Sequence, residues 1–406
     1  METTHPNPND IPRRRMRMPL LVRILIAIVL GVVLGNVLTQ PWVRLFVTFN
    51  GLFSQFLGFM IPLIIVGLVT PAIAEIGRGA GRLLLLTVLI AYGDTVLSGL
   101  LAYGTGSWLF PEMIAHTPHV SNVEQAEALA PYFSLQIPPL LDVMSALVFA
   151  FIFGLAIAYA RHQTLRSFFL EAREVITGTI SKVIIPLLPL YIFGIFLQMT
   201  CSGQAYRIML VFAQIIVVIF VLHILILIYQ FCVAGAIVGR NPLRLLWRML
   251  PAYMTALGTS SSAATIPVTY RQTMKNGVRE GIAGFVVPLC ATVHMSGSAM
   301  KITACALTIC LMNGLPHDPL LFLNFIMMLG IMMVASPGVP GGSIMAALAP
   351  LSSILGFGTE AQALMIALYI AMDSFGTACN VTGDGAIALV VDRIFKQGVA
   401  KEQTGS

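Results

Sequence analysis

Asp373, Thr377, Asn380 and Asp384 are spaced by four, three and four residues in the run DSFGTACNVTGD, so in a helix all four share one face. In apolar surroundings an ionised carboxylate is costly unless a cation meets it, which makes Asp373 and Asp384 functional candidates. The plainer reading is that they pair with Lys301 or Arg393. A second group, His294-Met295-Ser296-Gly297-Ser298 followed by Lys301, brings an imidazole that titrates near neutrality together with an ammonium. A third is the serine run Ser260, Ser261 and Ser262 inside LGTSSSAATIPVTY, and a fourth is the SPGVPGGS stretch from Ser336 to Ser343. Both interrupt apolar sequence with residues that break helices, and free N–H groups at such a break make an anion site. Small residues for tight helix packing, or a glycine hinge, are the bland alternatives.

These residues sit in a chain of 406 residues that is 57% hydrophobic and 10% charged, with a mean hydropathy of +0.89. That composition is far outside the soluble range and indicates an all-α polytopic membrane protein, because the apolar runs are long and continuous where barrel strands would alternate. The formal net charge of +6 has a topological cause, since Lys and Arg cluster in particular loops; nothing points to nucleic acid, a P-loop or a metalloenzyme. The six cysteines lie mostly in apolar runs without CxxC spacing and read as small hydrophobes.

In chain order, membrane segments are expected near 19–39, 44–74, 82–110, 134–160, 174–200 and 205–238. The first has too long an apolar part for a secretory signal, and Pro62 offers the second a kink. Arg13–Arg17, the mixed stretch before Arg82, Arg161–Arg173 and Arg240–Arg248 alternate with a loop at 111–133 that holds Glu112, Glu124 and Glu127. By the positive-inside rule the N-terminus and C-terminus are cytoplasmic and that loop is extracellular. After Arg248 the alternation fails. The serine run is flanked on both sides by basic stretches, so 243–275 is expected to be a re-entrant hairpin. A span at 281–313 broken at His294, a second hairpin at 319–356 entering from the opposite face and a last span at 360–396 follow. Eight transmembrane helices plus two opposed hairpins, repeated as hairpin and span in inverted orientation, point to a transporter with its site at the midplane.

The order SSSAATIPVT, interrupted span, GVPGGS tip and D-x-x-x-T-x-x-N-V-x-G-D resembles the glutamate transporter family, the dicarboxylate/amino acid:cation symporters. The match is specific over about 243–395 and rests on helix count and loop pattern before that. It implies a homotrimer with an elevator-type fold. The scaffold would be 19–75 and 134–202, and the mobile transport domain 82–110 and 205–396; 1–18 and 397–406 would be cytoplasmic. It implies that Asp373 receives a substrate ammonium with Thr377 and Asn380 beside it, and that Ser260, Ser261, Ser262 and Ser298 on one side and Val339, Pro340, Gly341 and Gly342 on the other contact the substrate. It implies sodium at Asp384 and Asn380, with Tyr92, Asp94, Thr95, His294 and Met295 as further ligands; oxygen ligands suit a hard cation.

The departures from the family matter most. Where relatives with acidic substrates carry an Arg, this chain has Gly376, which argues for a neutral amino acid. Where the family has N-M-D-G-T, this chain has His294 to Ser298, and the acidic sodium ligand is missing at Ser296. Either Asp94 rebuilds the cation site, or His294, Asp94 and Lys301 form a cluster that couples protons or supplies a fixed charge; a Lys301–Asp94 salt bridge is the bland form.

The expected function is cation-coupled symport of a small neutral amino acid across the plasma membrane, a bacterial inner membrane, with sodium as the coupling ion, protons as the alternative one, and no other cofactor. The alternative is proton-coupled or ion-independent transport or exchange of an acidic amino acid or dicarboxylate, with Lys301 supplying the charge. Two other classes compete. An intramembrane hydrolase would use Ser260–Ser262, His294 and Asp94, but no G-x-S-x-G elbow is present. A passive channel would give flux without uphill accumulation.

Overall fold

The computed structural model describes residues 20–78, 82–115, 129–159, 163–201, 203, 205–336 and 341–404. Val339 and Pro340, expected to line the site, and the terminal segment 1–18 lie outside the described residues. All regular structure among the described residues is helical.

The first part of the chain forms α1 (Leu20–Gly35), α2 (Gln40–Arg78), α3 (Arg82–Ala115), α4 (Val143–Tyr159), α5 (Gln163–Thr179), α6 (Ile185–Cys201) and α7 (Ala205–Val238). α2 runs through both Pro62 and Pro71 without a break. α3 continues five residues into the segment expected to be loop. The fourth span starts later than its apolar run, because 134–142 is irregular; Pro138 and Pro139 remove two successive N–H donors there. The fifth starts earlier, since amphipathic α5 joins α6 through a π turn at Ile180–Ile184. Large apolar side chains along α7, among them Val217, Val221, Ile224 and Leu225, point outward, as a surface meeting hydrocarbon requires.

The second part consists of breaks. α8 (Pro242–Thr259) and α9 (Ser262–Lys275) form a hairpin joined by Ser260 and Ser261. α10 (Glu280–Val293) and α11 (Ser296–Asn313) are separated by His294 and Met295. α12 (Pro319–Val334) and α13 (Gly342–Ser353) are the arms of the second interrupted segment, and α14 (Thr359–Ala371) meets α15 (Asp373–Thr404) at Met372 with a bend of 63°. Among the described residues five helical stretches are long and apolar enough to cross a membrane, six with the bent pair. α1 and α4 are shorter, at 16 and 17 residues.

Packing sorts the helices. α1, α2, α4, α5 and α6 pack on one another, while α3, α7 and α8 to α12 gather around α15 and α11. α13 and α14 lie between, touching α11 as well as α1, α2, α4 and α6. Nearly every residue of α11 from Ser296 to Cys310 is buried, so its polar side chains must find partners within the protein.

Candidate functional site

The breaks converge on α15. Ser260 turns the chain with a φ of 49°, a left-handed conformation that costs a residue with a Cβ about 1–2 kcal/mol. Its hydroxyl lies 2.6 Å from that of Ser374, which ties the hairpin tip to the start of α15. Ser261 caps α9, its Oγ accepting from the Ala264 N–H at 3.3 Å, and Ser262 is the buried first residue of that helix. Across the site, Gly341 takes φ 77° just before α13, and its N–H donates to Asp373 Oδ2 at 3.0 Å. Gly342 opens α13 and is buried.

Asp373 is therefore at the meeting of both interrupted segments with the α14–α15 bend, and a cation already faces it. Lys301 Nζ donates to Asp373 Oδ1 at 3.4 Å and to the Met372 carbonyl at 3.3 Å. The ammonium also sits 3.6 Å from the centre of the Tyr369 ring, a favourable cation–π placement. Gly376 explains the approach. A Cβ built there would fall 2.6 Å from Lys301 Nζ and 2.9 Å from Cε, so the absent side chain is the space that the lysine fills. Thr377 turns its hydroxyl back to the Asp373 carbonyl at 3.0 Å.

One turn further along α15, Asn380 clasps the α10–α11 break. Its Oδ1 accepts from the N–H of Gly297 at 2.8 Å and of Ser298 at 3.3 Å, and its amide donates to Ser298 Oγ at 3.2 Å and reaches Met295 Sδ at 3.3 Å. An α-helix starts with N–H groups that lack internal partners; Asn380 caps α11 from another helix. Ser298 Oγ also lies 3.2 Å from the Tyr369 hydroxyl, and the Met295 N–H donates to Thr95 Oγ1 at 3.3 Å.

A third cluster completes the arrangement. His294 Nε2 is 2.8 Å from Asp94 Oδ2 and Nδ1 is 2.9 Å from Asp384 Oδ1, with the imidazole fully buried. The Gln230 amide donates to Asp94 Oδ2 at 2.6 Å and to Ser296 Oγ at 3.0 Å.

The structure thus separates residues that the sequence suggested grouping. Lys301 does not join His294 and Asp94. It pairs with Asp373, because five helical steps from Ser296 carry it about 7–8 Å along the axis from the break. The salt bridge anticipated between Lys301 and Asp94 is replaced by one from His294. Tyr92 directs its hydroxyl to the Met327 carbonyl on α12 at 3.1 Å, away from Asp94. The serines are not arranged as a hydrolase would need: both His294 nitrogens face carboxylates. Gln230, Tyr369, Met372 and Ser374 belong to the site and were not expected there. Gln230 alone carried a signal, as an amide in the apolar run of α7.

A family model described as the sodium:dicarboxylate symporter family matches residues 20–394. Over 158 residues the chain is 32% identical to excitatory amino acid transporter 2 of Homo sapiens, an alignment covering 39% of this chain and 27% of that protein. It is 32% identical over 159 residues to neutral amino acid transporter B(0) of Rattus norvegicus, covering 38% and 28%. It is also 32% identical over 171 residues to excitatory amino acid transporter 3 of Mus musculus, covering 42% and 32%. The chain therefore spans less than a third of the length of these curated relatives, which are transporters and not enzymes.

Proposed function

The chain belongs to the sodium:dicarboxylate symporter family, and from that premise we propose that it is a secondary active transporter of a small acidic solute, an acidic amino acid or a dicarboxylate. The observation that carries this reading is Lys301. Its ammonium lies beside Asp373 in the space that Gly376 leaves open, so α11 supplies a positive charge where α15 has none. A second carboxylate on the solute has a buried cation to meet, and the N-terminal ends of α9 and α13 favour the first.

A neutral amino acid is the second reading, and a specific contact favours it. Lys301 already engages Met372, Asp373 and the Tyr369 ring, and a lysine and a carboxylate that neutralise each other suit a zwitterion. In either case α3 and α7 to α15 move as one unit against α1, α2, α4, α5 and α6, exposing the site alternately to each side of the plasma membrane. Eight spans with both termini in the cytoplasm, and a homotrimer, complete the proposal.

Purified protein in liposomes is to be offered labelled L-aspartate, succinate, L-serine and L-alanine under imposed ion gradients and under counterflow. Uphill accumulation or exchange of aspartate or succinate, lost in Lys301→Met, is the expected result. Accumulation confined to serine or alanine selects the second reading. Flux that never exceeds equilibration makes the protein a channel.

A further inference from the structure

We infer that the His294 imidazole, held between Asp94 and Asp384, is a built-in cation standing where a sodium ion would join these two carboxylates, so that transport by this chain does not require sodium. The inference rests on the transport reading above. Its ground is that the oxygen atoms at the α10–α11 break do not fit an inorganic cation.

Both ring nitrogens lie at hydrogen-bond distance from a carboxylate oxygen, 2.8 Å for Asp94 and 2.9 Å for Asp384. An ionised carboxylate only accepts, so the imidazole satisfies both by donating twice, as the imidazolium. One positive charge then bridges two acids from two different helices, α3 and α15. A hard monovalent cation in the same place would need those oxygens, since it is held by carboxylates, carbonyls and hydroxyls.

The neighbouring oxygens are also engaged, and by donors. Asp94 Oδ2 accepts a second bond from Gln230, whose amide also donates to Ser296 Oγ. Asn380 Oδ1 accepts two backbone N–H groups, and Thr95 Oγ1 accepts a third from Met295. The imidazole therefore aims hydrogens at both carboxylates and the Gln230 amide aims one at Asp94, and hydrogens repel a cation. Ser296 contributes a hydroxyl and no charge. Space agrees with charge: a Cβ at Gly383 would come within 2.7 Å of His294 Cε1 and 2.6 Å of Gln230 Oε1. The ring packs directly on the α15 backbone. Lys301 does the same for Asp373 as His294 does for the other pair, so two built-in cations attend the three acids at this site, of which Asp373 and Asp384 are buried.

The test compares sodium with choline as the only monovalent cation besides buffer. Uptake or exchange of labelled L-aspartate, succinate, L-serine and L-alanine into liposomes is expected to be the same in both, and so is the melting temperature of the detergent-solubilised protein. His294→Asn, alone and with Ser296→Asp, removes the internal charge; its melting temperature is expected to rise with sodium and not with choline, as linkage requires of a bound ligand. Wild-type uptake that falls about tenfold or more in choline, or a wild-type melting temperature that rises with sodium, overturns the inference, because removal of an obligatory ion produces such losses by mass action. A folded His294→Asn protein that stays indifferent to sodium overturns the stand-in role of the imidazole. If no solute is carried in either salt, the transport reading fails, and the wild-type and variant melting curves still decide the question of sodium.

Discussion

Lys301 and Gly376 are one feature shared between two helices, and their coupling makes predictions that neither residue makes alone. Lys301→Met removes the ammonium that faces the Asp373 carboxylate while the Gly341 N–H at 3.0 Å stays in place, and breaking a buried pair costs about 3–5 kcal/mol. Lys301→Met combined with Asp373→Leu is expected to recover most of that, because replacing both members of a buried pair is often neutral. Denaturant unfolding of these two variants and of Asp373→Leu alone, in detergent, measures the cycle; additive losses would mean that the two side chains do not act as a pair. Gly376→Arg alone is expected to abolish uptake, since even its Cβ meets Lys301 Nζ at 2.6 Å, whereas Gly376→Arg with Lys301→Ala restores room and charge together. If the double variant carries acidic solutes no better than the single one, Lys301 is not the counterpart of the missing guanidinium. Asp373, Gly376 and Lys301 were each legible as exceptional in the sequence. A Lys301–Asp373 pair was one of the alternatives the sequence offered, but the place of Gly376 in it was not legible, because spacing along α11 fixes which residues share a face and says nothing of which helix lies opposite.

At the scale of elements, the helix breaks hold the site, and their causes differ. The serine hairpin and the second hairpin were legible from Ser, Gly and Pro, which loosen or cap a helix. The bend at Met372 was not, since YIAMDSF contains neither Gly nor Pro and only one serine. It is supported across the fold: the freed Met372 carbonyl accepts from Lys301 Nζ at 3.3 Å and from the Gly376 N–H at 3.1 Å. The α10–α11 break depends likewise on a residue of α15. Asn380→Ala leaves the Gly297 and Ser298 N–H groups buried without an acceptor, at about 1–3 kcal/mol each. Asn380→Asp keeps the acceptor and is expected to lose less. Amide hydrogen exchange at the first turn of α11 should rise in the alanine variant and not in the aspartate variant; equal protection in both would remove Asn380 from the role of cap. At the serine tip, Ser260→Val places a β-branched residue at φ 49°, a worse fit there than serine, and loses the contact to Ser374, so its melting temperature is expected to fall. Ser260→Gly relieves that conformation while losing the contact to Ser374, and the two effects nearly cancel in thermal unfolding.

For the whole molecule, the sorting of helices into two packed groups bears on how solute would cross. The helix that presents Tyr369 to the site and leads into Met372 is α14, and polar contacts join it to α6: Tyr191 donates to the Thr359 carbonyl at 3.3 Å, and Gln198 donates to Glu360 Oε1 at 3.2 Å. Contacts within the larger group are of another kind. Arg279 binds Asp392 on α15 at 2.6 Å, with both residues on elements proposed to travel together. A Gln198→Cys, Glu360→Cys pair bridged by mercuric ion, in a background with exposed Cys201 and Cys232 replaced by serine, is expected to stop uptake, and added thiol to restore it. The Arg279→Cys, Asp392→Cys pair bridged the same way is expected to leave uptake in place, because it joins two parts of one unit. The contrast matters more than either result, since a bridge that merely damages the protein lowers both. Sustained uptake through the bridged Gln198–Glu360 pair would mean that α14 does not slide on α6, and that the site opens by movement of the hairpin tips alone.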